Sequence, residues 1–289
     1  MVSDQLLKEC IKNLAEGSGP IAIDTERASG YKYSSRAYLI QVKRKDKPIY
    51  LIDPISISDK SLWQLFNDTF ANVEWIIHAS TQDLPCLKEL GLYPNILFDT
   101  ELGARLCGFP KVALGTLVEE LMGLELAKEH SAVDWSTRPL KDEWLNYAAL
   151  DVDLLIELRD LISSELTAQE KLTFAQAEFA QILQDFKVTK TSRKDPWRRT
   201  SGMHKVKDRL TMYVISKLWQ IRDEIAQELD LAPHRVLQDE AMVDLAAIKP
   251  KTNEEIAKVI GRRTRLESPP FQKWLKAINE ALTADESNW

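Results

Sequence analysis

The sequence predicts an α/β domain followed by a smaller all-α domain. Over the first 186 residues, short apolar runs of strand length alternate with helical stretches. From about Leu210 to Leu282, apolar residues recur at helical spacing. Between these regions lies a segment rich in Lys and Arg that also has the Pro, Gly and Ser of a linker. The predicted organisation is therefore an α/β domain at 1–186, a basic linker at 187–209 and a helical domain at 210–289.

The α/β domain is predicted to contain a mixed sheet. Its strand candidates are the apolar runs at 21–23, 38–42, 49–52, 75–78 and 96–98. Its helical stretches lie near 4–15, 60–70, 84–90, 100–107, 114–122, 142–162 and 165–186. The polar residues 43–48 are typical of a hairpin turn, so the first three strands are expected to be antiparallel neighbours. The later strands are expected to join through helices.

The helical domain carries start and stop signals of its own. Its spaced apolar residues are Leu210, Val214, Leu218, Ile221, Ile225 and Leu229, followed by the run 241–248. Thr252, followed by Asn-Glu-Glu, predicts a helix start, and Gly261 predicts a helix stop. The basic residues around that stop are typical of favourable charge at a helix C-terminus.

Two carboxylates follow the first apolar run. Asp24 and Glu26 come directly after Ile21–Ile23, with one residue between them. In a strand, alternate side chains point to the same face and lie about 7 Å apart. Both carboxylates are therefore expected to face one site.

Two later segments offer matching chemistry. Tyr147 and Asp151 are four apart in a stretch of good helix formers, so they should share one helical face. Asp83 lies just beyond the strand candidate 75–78, at a predicted strand-to-helix junction.

These residue types suit a two-metal nuclease site. Carboxylates without a Cys or His cluster favour Mg²⁺ or Mn²⁺ over Zn²⁺. Two such ions roughly 4 Å apart can activate a water and stabilise the leaving 3′ oxygen of a phosphodiester. A tyrosine can orient that water or help to deprotonate it. Taken singly, an Asp-x-Glu is typical of a strand end or helix cap, so it is the combination and order of the three segments that favour a nuclease.

The motifs resemble those of a known superfamily. DTE, HASTQDL and DWSTRPLKDEWLNYAALDVDLL are similar to the three exonuclease motifs of the DEDDy superfamily, and the last is especially similar to bacterial ribonuclease D. FDTELGARLCG, LGTLVEELMG, PWRR and a C-terminal segment resembling the helicase-and-RNase-D C-terminal (HRDC) domain extend the similarity over nearly the whole chain.

The resemblance implies a ribonuclease H-like mixed-sheet exonuclease domain followed by one HRDC domain. Asp24, Glu26, Asp83 and Asp151 would then be the metal ligands, and Tyr147 would position the attacking water. The implied substrate is RNA with an accessible 3′ end, such as a tRNA precursor, shortened in the 3′-5′ direction with release of nucleoside 5′-monophosphates.

Two features differ from the family pattern. Ribonuclease D proteins often carry two helical domains of this kind, whereas this sequence shows a single one. The residue after the first-motif glutamate is commonly apolar, where it could wedge against the terminal base, but in this chain it is Arg27.

The net charge of −6 is the wrong sign for a nucleic-acid binder, but its distribution is uneven. Residues 187–209 carry nine Lys and Arg against two Asp. This segment is either a solvated tether or a strip that follows phosphates, with its aromatic residue stacking on a base or packing against the first domain. The nucleic-acid-binding residues predicted within it are Lys194, Trp197, Arg198, Arg199, Lys205 and Lys207.

Several residues near the motifs are excluded from the metal site. His78, at a strand end, is expected to be hydrogen-bonded to backbone. Asp99-Thr100-Glu101 imitates the first motif but precedes a helix, which predicts an N-cap. Asp153 should point about 200° around the helix from Asp151. Three aromatic residues could stack on a base or belong to the core: Tyr31, Tyr33 and Tyr38.

Composition is consistent with a cytoplasmic globular protein. The hydrophobic content is 44%, and the three cysteines are widely spaced without a CxxC, which is typical of reduced thiols. We find no signal peptide and no apolar run near 18 residues, so we expect neither secretion nor membrane insertion, and we expect a monomer.

The leading functional hypothesis is a metal-dependent 3′-5′ exoribonuclease. One alternative is a 3′-5′ exonuclease acting on single-stranded DNA, which would not depend on the 2′-OH of the terminal nucleotides. A second, from a different class, is an RNA-binding module with a decayed nuclease site, which the intact acids and tyrosine disfavour.

Overall fold

The computed structural model describes residues 4–126, 133–187 and 194–285. Within them the chain forms two compact units. The first contains residues 4–28 and 35–187, and the second contains residues 29–34 and 194–285. The second unit thus includes a short segment, 29–34, that the predicted boundaries assign to the first domain.

A five-stranded mixed sheet organises the first unit. Its strands are β1 (Ser18–Arg27), β2 (Ala37–Lys45), β3 (Tyr50–Ile52), β4 (Glu74–Ile77) and β5 (Ile96–Asp99). The strand order is β3-β2-β1-β4-β5. The first three strands are antiparallel neighbours, whereas β4 and β5 run parallel to β1. The predicted mixed sheet is confirmed.

Both faces of this sheet are covered, as the burial of the centre of β1 on both sides indicates. Ile21, Ala22 and Ile23 are consecutive, point to alternate faces and are all at most 1% exposed. The helices of this unit are α1 (Asp4–Ala15), α2 (Ser61–Thr69), α3 (Leu84–Glu89), α4 (Thr100–Cys107), α5 (Leu114–Met122), α6 (Asp142–Asp153), α7 (Leu155–Ala168) and α8 (Leu172–Lys187).

Two of the predicted helix boundaries differ from those observed. The predicted helix 142–162 is two helices, α6 and α7, which meet at Leu154. Lys43 Nζ donates to the backbone oxygen of Asp153 at 2.8 Å, so that carbonyl is bound by a side chain where the helix ends. The predicted helix 165–186 begins instead at Leu172, after a turn in which Glu170 has a φ of +58°.

The second unit is helical, as predicted. Its helices are α9 (Arg209–Glu228), α10 (Pro233–Val236), α11 (Asp239–Ile248), α12 (Asn253–Ile260) and α13 (Phe271–Thr283). Thr252 caps α12 by accepting from Glu255 N, and Gly261 ends it with a φ of +55°. A separate apolar core surrounds the fully buried Trp274.

Residues 29–34 are held within this helical unit by specific contacts. Arg235 stacks over the Tyr31 ring at 4.1 Å, and its Nε donates to Gly30 O at 2.8 Å. Tyr33 donates to Asp223 at 3.1 Å.

None of the helices in the described residues is long and apolar enough to cross a membrane.

Candidate active site

The first motif lies within β1, not at its end, because the strand continues to Arg27. Asp24 is directly opposite Gln41 of β2 in the antiparallel register. Alternation along the strand places Asp24 and Glu26 on the same face of the sheet and Thr25 on the other. Glu26 is 9% exposed, so at least one of these carboxylates is largely removed from water.

Helix α6 brings the third motif to β1 and β2, against which it packs. Ala148 and Val152 are fully buried, which fixes the face of α6 that is turned to the core. Tyr147 and Asp151 lie beside them, one turn apart and partly buried. The motif residues thus sit at the boundary between core and solvent.

Two ion pairs fix the position of α6. At its C-terminal end, Lys43 of β2 pairs with Asp153 at 2.5 Å. Before its N-terminal end, Arg138 donates to both carboxylate oxygens of Asp53, at 2.7 and 2.8 Å. Asp153, excluded from the metal site on helical geometry, has this structural partner.

Asp24, Glu26 and Asp151 form a group that could hold a metal ion. Each offers an oxygen, and these oxygens lie within 4.8 Å of one another. Asp83 lies outside this group, but it is tied to the same strand. Thr25 Oγ1 donates to Asp83 Oδ1 at 2.6 Å.

Asp83 stands at the N-terminus of α3, the predicted strand-to-helix junction, and it is 4% exposed. Arg27 approaches its carboxylate at 3.8 Å. The same guanidinium donates to the backbone oxygen of Gln82. The arginine that replaces the usual apolar residue therefore links the end of β1 to the second motif.

Burial raises the pKa of all four acids. Desolvation raises the pKa of Asp24 well above its usual range, and the charges of the other three acids raise it further. Desolvation also raises the pKa of Glu26 to about 9, that of Asp151 to about 7 and that of Asp83 to about 6. The Thr25 hydrogen bond opposes the shift at Asp83.

This arrangement fits a divalent cation. Carboxylates gathered where water is excluded repel one another, and a hard cation with oxygen ligands removes that repulsion. Next to them, Gln41 is fully buried and neither of its amide atoms has a hydrogen-bond partner among the described residues. An orphaned polar group of this kind is typical of a site that binds something further.

Comparison with known proteins identifies the family. The sequence profile of the 3′-5′ exonuclease family matches residues 1–167. The chain belongs to this exonuclease family. A second profile, that of the HRDC domain, matches residues 213–269. The predicted fold class, an exonuclease domain followed by a helical HRDC domain, is confirmed.

Curated relatives of the chain include several ribonucleases D. That of Jannaschia sp. (strain CCS1) is 32% identical over 263 residues, which cover 89% of this chain and 66% of the relative. That of Desulfotalea psychrophila is 30% identical over 250 residues, covering 86% and 66%. The chain therefore spans slightly less than two thirds of the length of these relatives.

Two solved structures share the fold. A protein from Bifidobacterium adolescentis is 37% identical with a TM-score of 0.90, over 100% of this chain and 75% of that one. Escherichia coli RNase D, described as an exoribonuclease involved in structured RNA processing, is 26% identical with a TM-score of 0.75, over 99% and 76%.

Within the exonuclease-family domain, His78 and Asp99 have structural partners. His78 Nδ1 is 2.9 Å from Thr100 Oγ1, a side chain and not the predicted backbone partner, and burial lowers the pKa of the imidazole. Asp99 is the predicted N-cap of α4, accepting from Glu101 N and Leu102 N. It also accepts from the backbone of Ala79 and Ser80, in the turn that leads to Asp83.

The basic segment is partly described, since residues 188–193 lie outside the described residues. Pro196–Arg199 forms a short 3-10 turn. Trp197 packs against the HRDC-domain core and lies under the Arg198 guanidinium at 4.5 Å. The five basic residues predicted to bind nucleic acid are all exposed: Lys194, Arg198, Arg199, Lys205 and Lys207.

The three tyrosines considered for base stacking have distinct positions. Tyr38 is 2% exposed and belongs to the core. Tyr31 and Tyr33 contact Arg235 and Asp223 in the helical unit.

Four residues of the site escaped the sequence analysis: Thr25, Gln41, Lys43 and Asp99 as a support for Asp83. Thr25 and Gln41 could have been considered from the alternation of the two strands. The contacts of Lys43 and Asp99 join segments separated by 110 and about 20 residues, and no local pattern indicates them.

Proposed function

We propose that this protein is a metal-dependent 3′-5′ exoribonuclease of the ribonuclease D type. It trims the 3′ ends of structured RNA precursors such as tRNA and releases nucleoside 5′-monophosphates. The observation that supports this most directly is the group of three carboxylates within 4.8 Å, on β1 and α6 of an exonuclease domain.

Each predicted catalytic residue has a role in this proposal. Asp24, Glu26, Asp83 and Asp151 hold two divalent cations, Mg²⁺ or Mn²⁺. When bound, these cations would activate a water and stabilise the leaving 3′ oxygen. Burial raises the pKa of Tyr147 above its usual value of about 10. The phenol therefore stays protonated at neutral pH. A protonated phenol can orient the attacking water by hydrogen bonding but cannot take a proton from it, so orientation is the favoured role.

RNA is the favoured substrate because the curated relatives are ribonucleases D. The exposed cations Lys194, Arg198, Arg199, Lys205 and Lys207 then bind phosphates of the RNA. Trp197, held in the HRDC-domain core, positions Arg198 by stacking. The protein acts as a monomer in the cytoplasm, where such RNA is processed.

A gel time course tests the activity. RNA and a DNA of the same sequence, each labelled at the 5′ end, are incubated with Mg²⁺, Mn²⁺ or a chelator. Wild type is compared with Asp24→Ala and with Glu101→Ala, which alters the sequence that imitates the first motif. Glu101 is a surface residue paired with Arg105, so it is a matched control.

The expected result is a shrinking RNA ladder that requires a divalent cation and Asp24 and is retained in Glu101→Ala. Equal cutting of DNA would favour the single-stranded DNA exonuclease. RNA that is bound but uncut in every cation would refute the enzyme and favour the binding module.

A further inference from the structure

A buried glutamine lies beside the carboxylates without a hydrogen bond. Gln41 is at the centre of β2 and is 0% exposed. Neither its amide nitrogen nor its amide oxygen has a partner among the described residues. Leaving both atoms of a buried amide unbonded is costly, so such a residue calls for an explanation.

The surroundings of Gln41 provide one. It is directly opposite Asp24 in the antiparallel register, so both side chains point to the same face of the sheet. Glu26, two residues further along β1, lies on that face as well. Hydrogen bonding from the Gln41 side chain lowers the pKa of Glu26, so the amide faces this carboxylate, although the two groups fall short of full hydrogen-bond geometry.

Helix α6 closes the same face. It packs against β2, and Lys43, two residues beyond Gln41, anchors its C-terminal end. The amide is therefore enclosed between the first and third motifs. Core packing alone does not require an amide at this position, because an apolar side chain of similar length would fill the space without unbonded polar atoms.

We propose that Gln41 is a positioning residue that orients the Glu26 carboxylate toward a divalent cation. Its amide nitrogen donates to the ionised carboxylate, and its amide oxygen accepts from a water molecule held in the same site. This rests on the proposed function, in which Glu26 holds a cation. Residues that hydrogen-bond to a metal ligand fix its orientation and raise metal affinity.

Gln41→Met tests the inference, because methionine keeps the length of the side chain and removes the amide. Ile40→Val is the matched control, since Ile40 is the adjacent buried residue and points to the other face of β2. The measurements are Mn²⁺ and Mg²⁺ binding by calorimetry, unfolding temperature without cation, and RNA cutting as a function of cation concentration.

Gln41→Met is expected to bind the cation about 10-fold more weakly. Its unfolding temperature without cation is expected to equal or exceed that of wild type, since an unbonded amide has been removed. Ile40→Val should show the reverse pattern, with lower stability and unchanged cation affinity. A general packing defect cannot lower affinity while raising stability.

Unchanged cation affinity in Gln41→Met would overturn the inference. If Gln41→Met does not fold, Gln41→Leu replaces it in the same measurements. A wild type that binds cation but leaves RNA intact would refute the proposed activity. The cation affinities of wild type and Gln41→Met would still test the role of Gln41. A wild type that binds no cation would overturn both.

Discussion

Thr25 separates the two carboxylates of the first motif and serves the second motif. Its hydroxyl is buried and donates to Asp83 at 2.6 Å, and its oxygen is 3.2 Å from Cys86 Sγ. Because strand alternation turns Thr25 away from Asp24 and Glu26, one three-residue stretch of β1 contacts both sides of the site. The threonine thus fixes the distance between β1 and the N-terminus of α3.

Replacing Thr25 with valine should separate these two segments. Thr25→Val removes a buried hydrogen bond to a carboxylate, which should lower the free energy of unfolding by about 1.5–3 kcal/mol. Because Asp83 loses an anchor, turnover should fall at least about 10-fold. Urea unfolding and single-turnover cutting of RNA measure the two effects.

Thr211→Val is the control for this substitution. The Thr211 side chain is also buried and accepts from Lys249 Nζ at 3.0 Å, but it belongs to the HRDC domain. It should lose stability with unchanged turnover at the exonuclease site. Equal turnover in both variants would exclude Thr25 from the positioning of Asp83.

At the scale of single residues, the sequence predicted which side chains lie together better than it predicted their hydrogen-bond partners. Asp24, Glu26 and Asp151 do converge, because strand and helix periods decide which side chains share a face. The hydrogen bond from Thr25 to Asp83 spans 58 residues and depends on where α3 begins in space. Local periodicity contains no information on such a distance.

At the scale of elements, the turn between β4 and α3 is the least regular part of the site. Ala79 has a φ of +55°, a conformation that alanine rarely adopts. Asp99, at the end of the neighbouring strand β5, accepts from Ala79 N, Ser80 N and Ser80 Oγ. The same carboxylate caps α4. One buried side chain therefore binds both the start of α4 and the turn that leads from β4 to Asp83.

Asp99→Ala should therefore cost more than the loss of an ordinary N-cap. We expect a loss of about 2–4 kcal/mol in unfolding free energy, since the capping bonds and the buried turn amides lose their acceptor together. RNA cutting should also fall, because the turn that carries Asp83 is released. Denaturant unfolding and turnover at saturating cation check the prediction.

Asp208→Ala provides the comparison. Asp208 caps α9 by accepting from Thr211 N. It should cost about 1 kcal/mol and leave turnover unchanged. If Asp99→Ala lost no more stability and no more turnover than Asp208→Ala, the role of Asp99 in holding the turn before Asp83 would be wrong.

The existence of the strands and the antiparallel pairing of the first three were predicted, whereas the full strand order and the element ends were not. The five strands follow from apolar runs, and the hairpin turn favours the antiparallel neighbours, but the pairing of β1 with β4 is a long-range contact. The break at Leu154 was missed because no Pro or Gly marks it. It occurs where Lys43, more than 100 residues earlier, binds a helix carbonyl, which is a tertiary effect on a local boundary.

At the scale of the whole molecule, charge is segregated along the chain. Residues 1–186 carry 29 acids against 18 bases, while residues 187–209 carry nine bases against two acids. The acids that are gathered in the site attract cations, and the exposed bases around Pro196–Arg199 are available to phosphates. A negative net charge is therefore compatible with RNA binding.

Charge reversal at Arg198 and Arg199 should weaken RNA binding. Arg198→Glu with Arg199→Glu removes up to two phosphate contacts, so the slope of log K against log salt should fall in magnitude by about 1–2. Fluorescence anisotropy across a salt series measures this. Lys273→Glu with Lys276→Glu, two exposed bases of α13, is the control, and an equal effect in both pairs would make the change a non-specific one.

The acid cluster also predicts how stability depends on pH. With the pKa of Glu26 at about 9 and that of Asp151 at about 7, the folded protein binds more protons than the unfolded chain, whose carboxyl pKa values are about 4. Because stability falls with pH wherever the folded state binds more protons, the cation-free protein should lose stability as pH rises from about 4 to 9.

A bound cation must displace those protons, so cation affinity should rise over the same interval. The increase in unfolding temperature on adding Mg²⁺ should accordingly be larger at pH 9 than at pH 6. Glu26→Gln removes the group with the raised pKa of about 9, so its stability in chelator should depend less on pH than that of wild type. Parallel pH profiles for the two proteins, measured by thermal unfolding in chelator, would contradict the raised pKa of Glu26, which comes first from burial and then from the charges of Asp151 and Asp83.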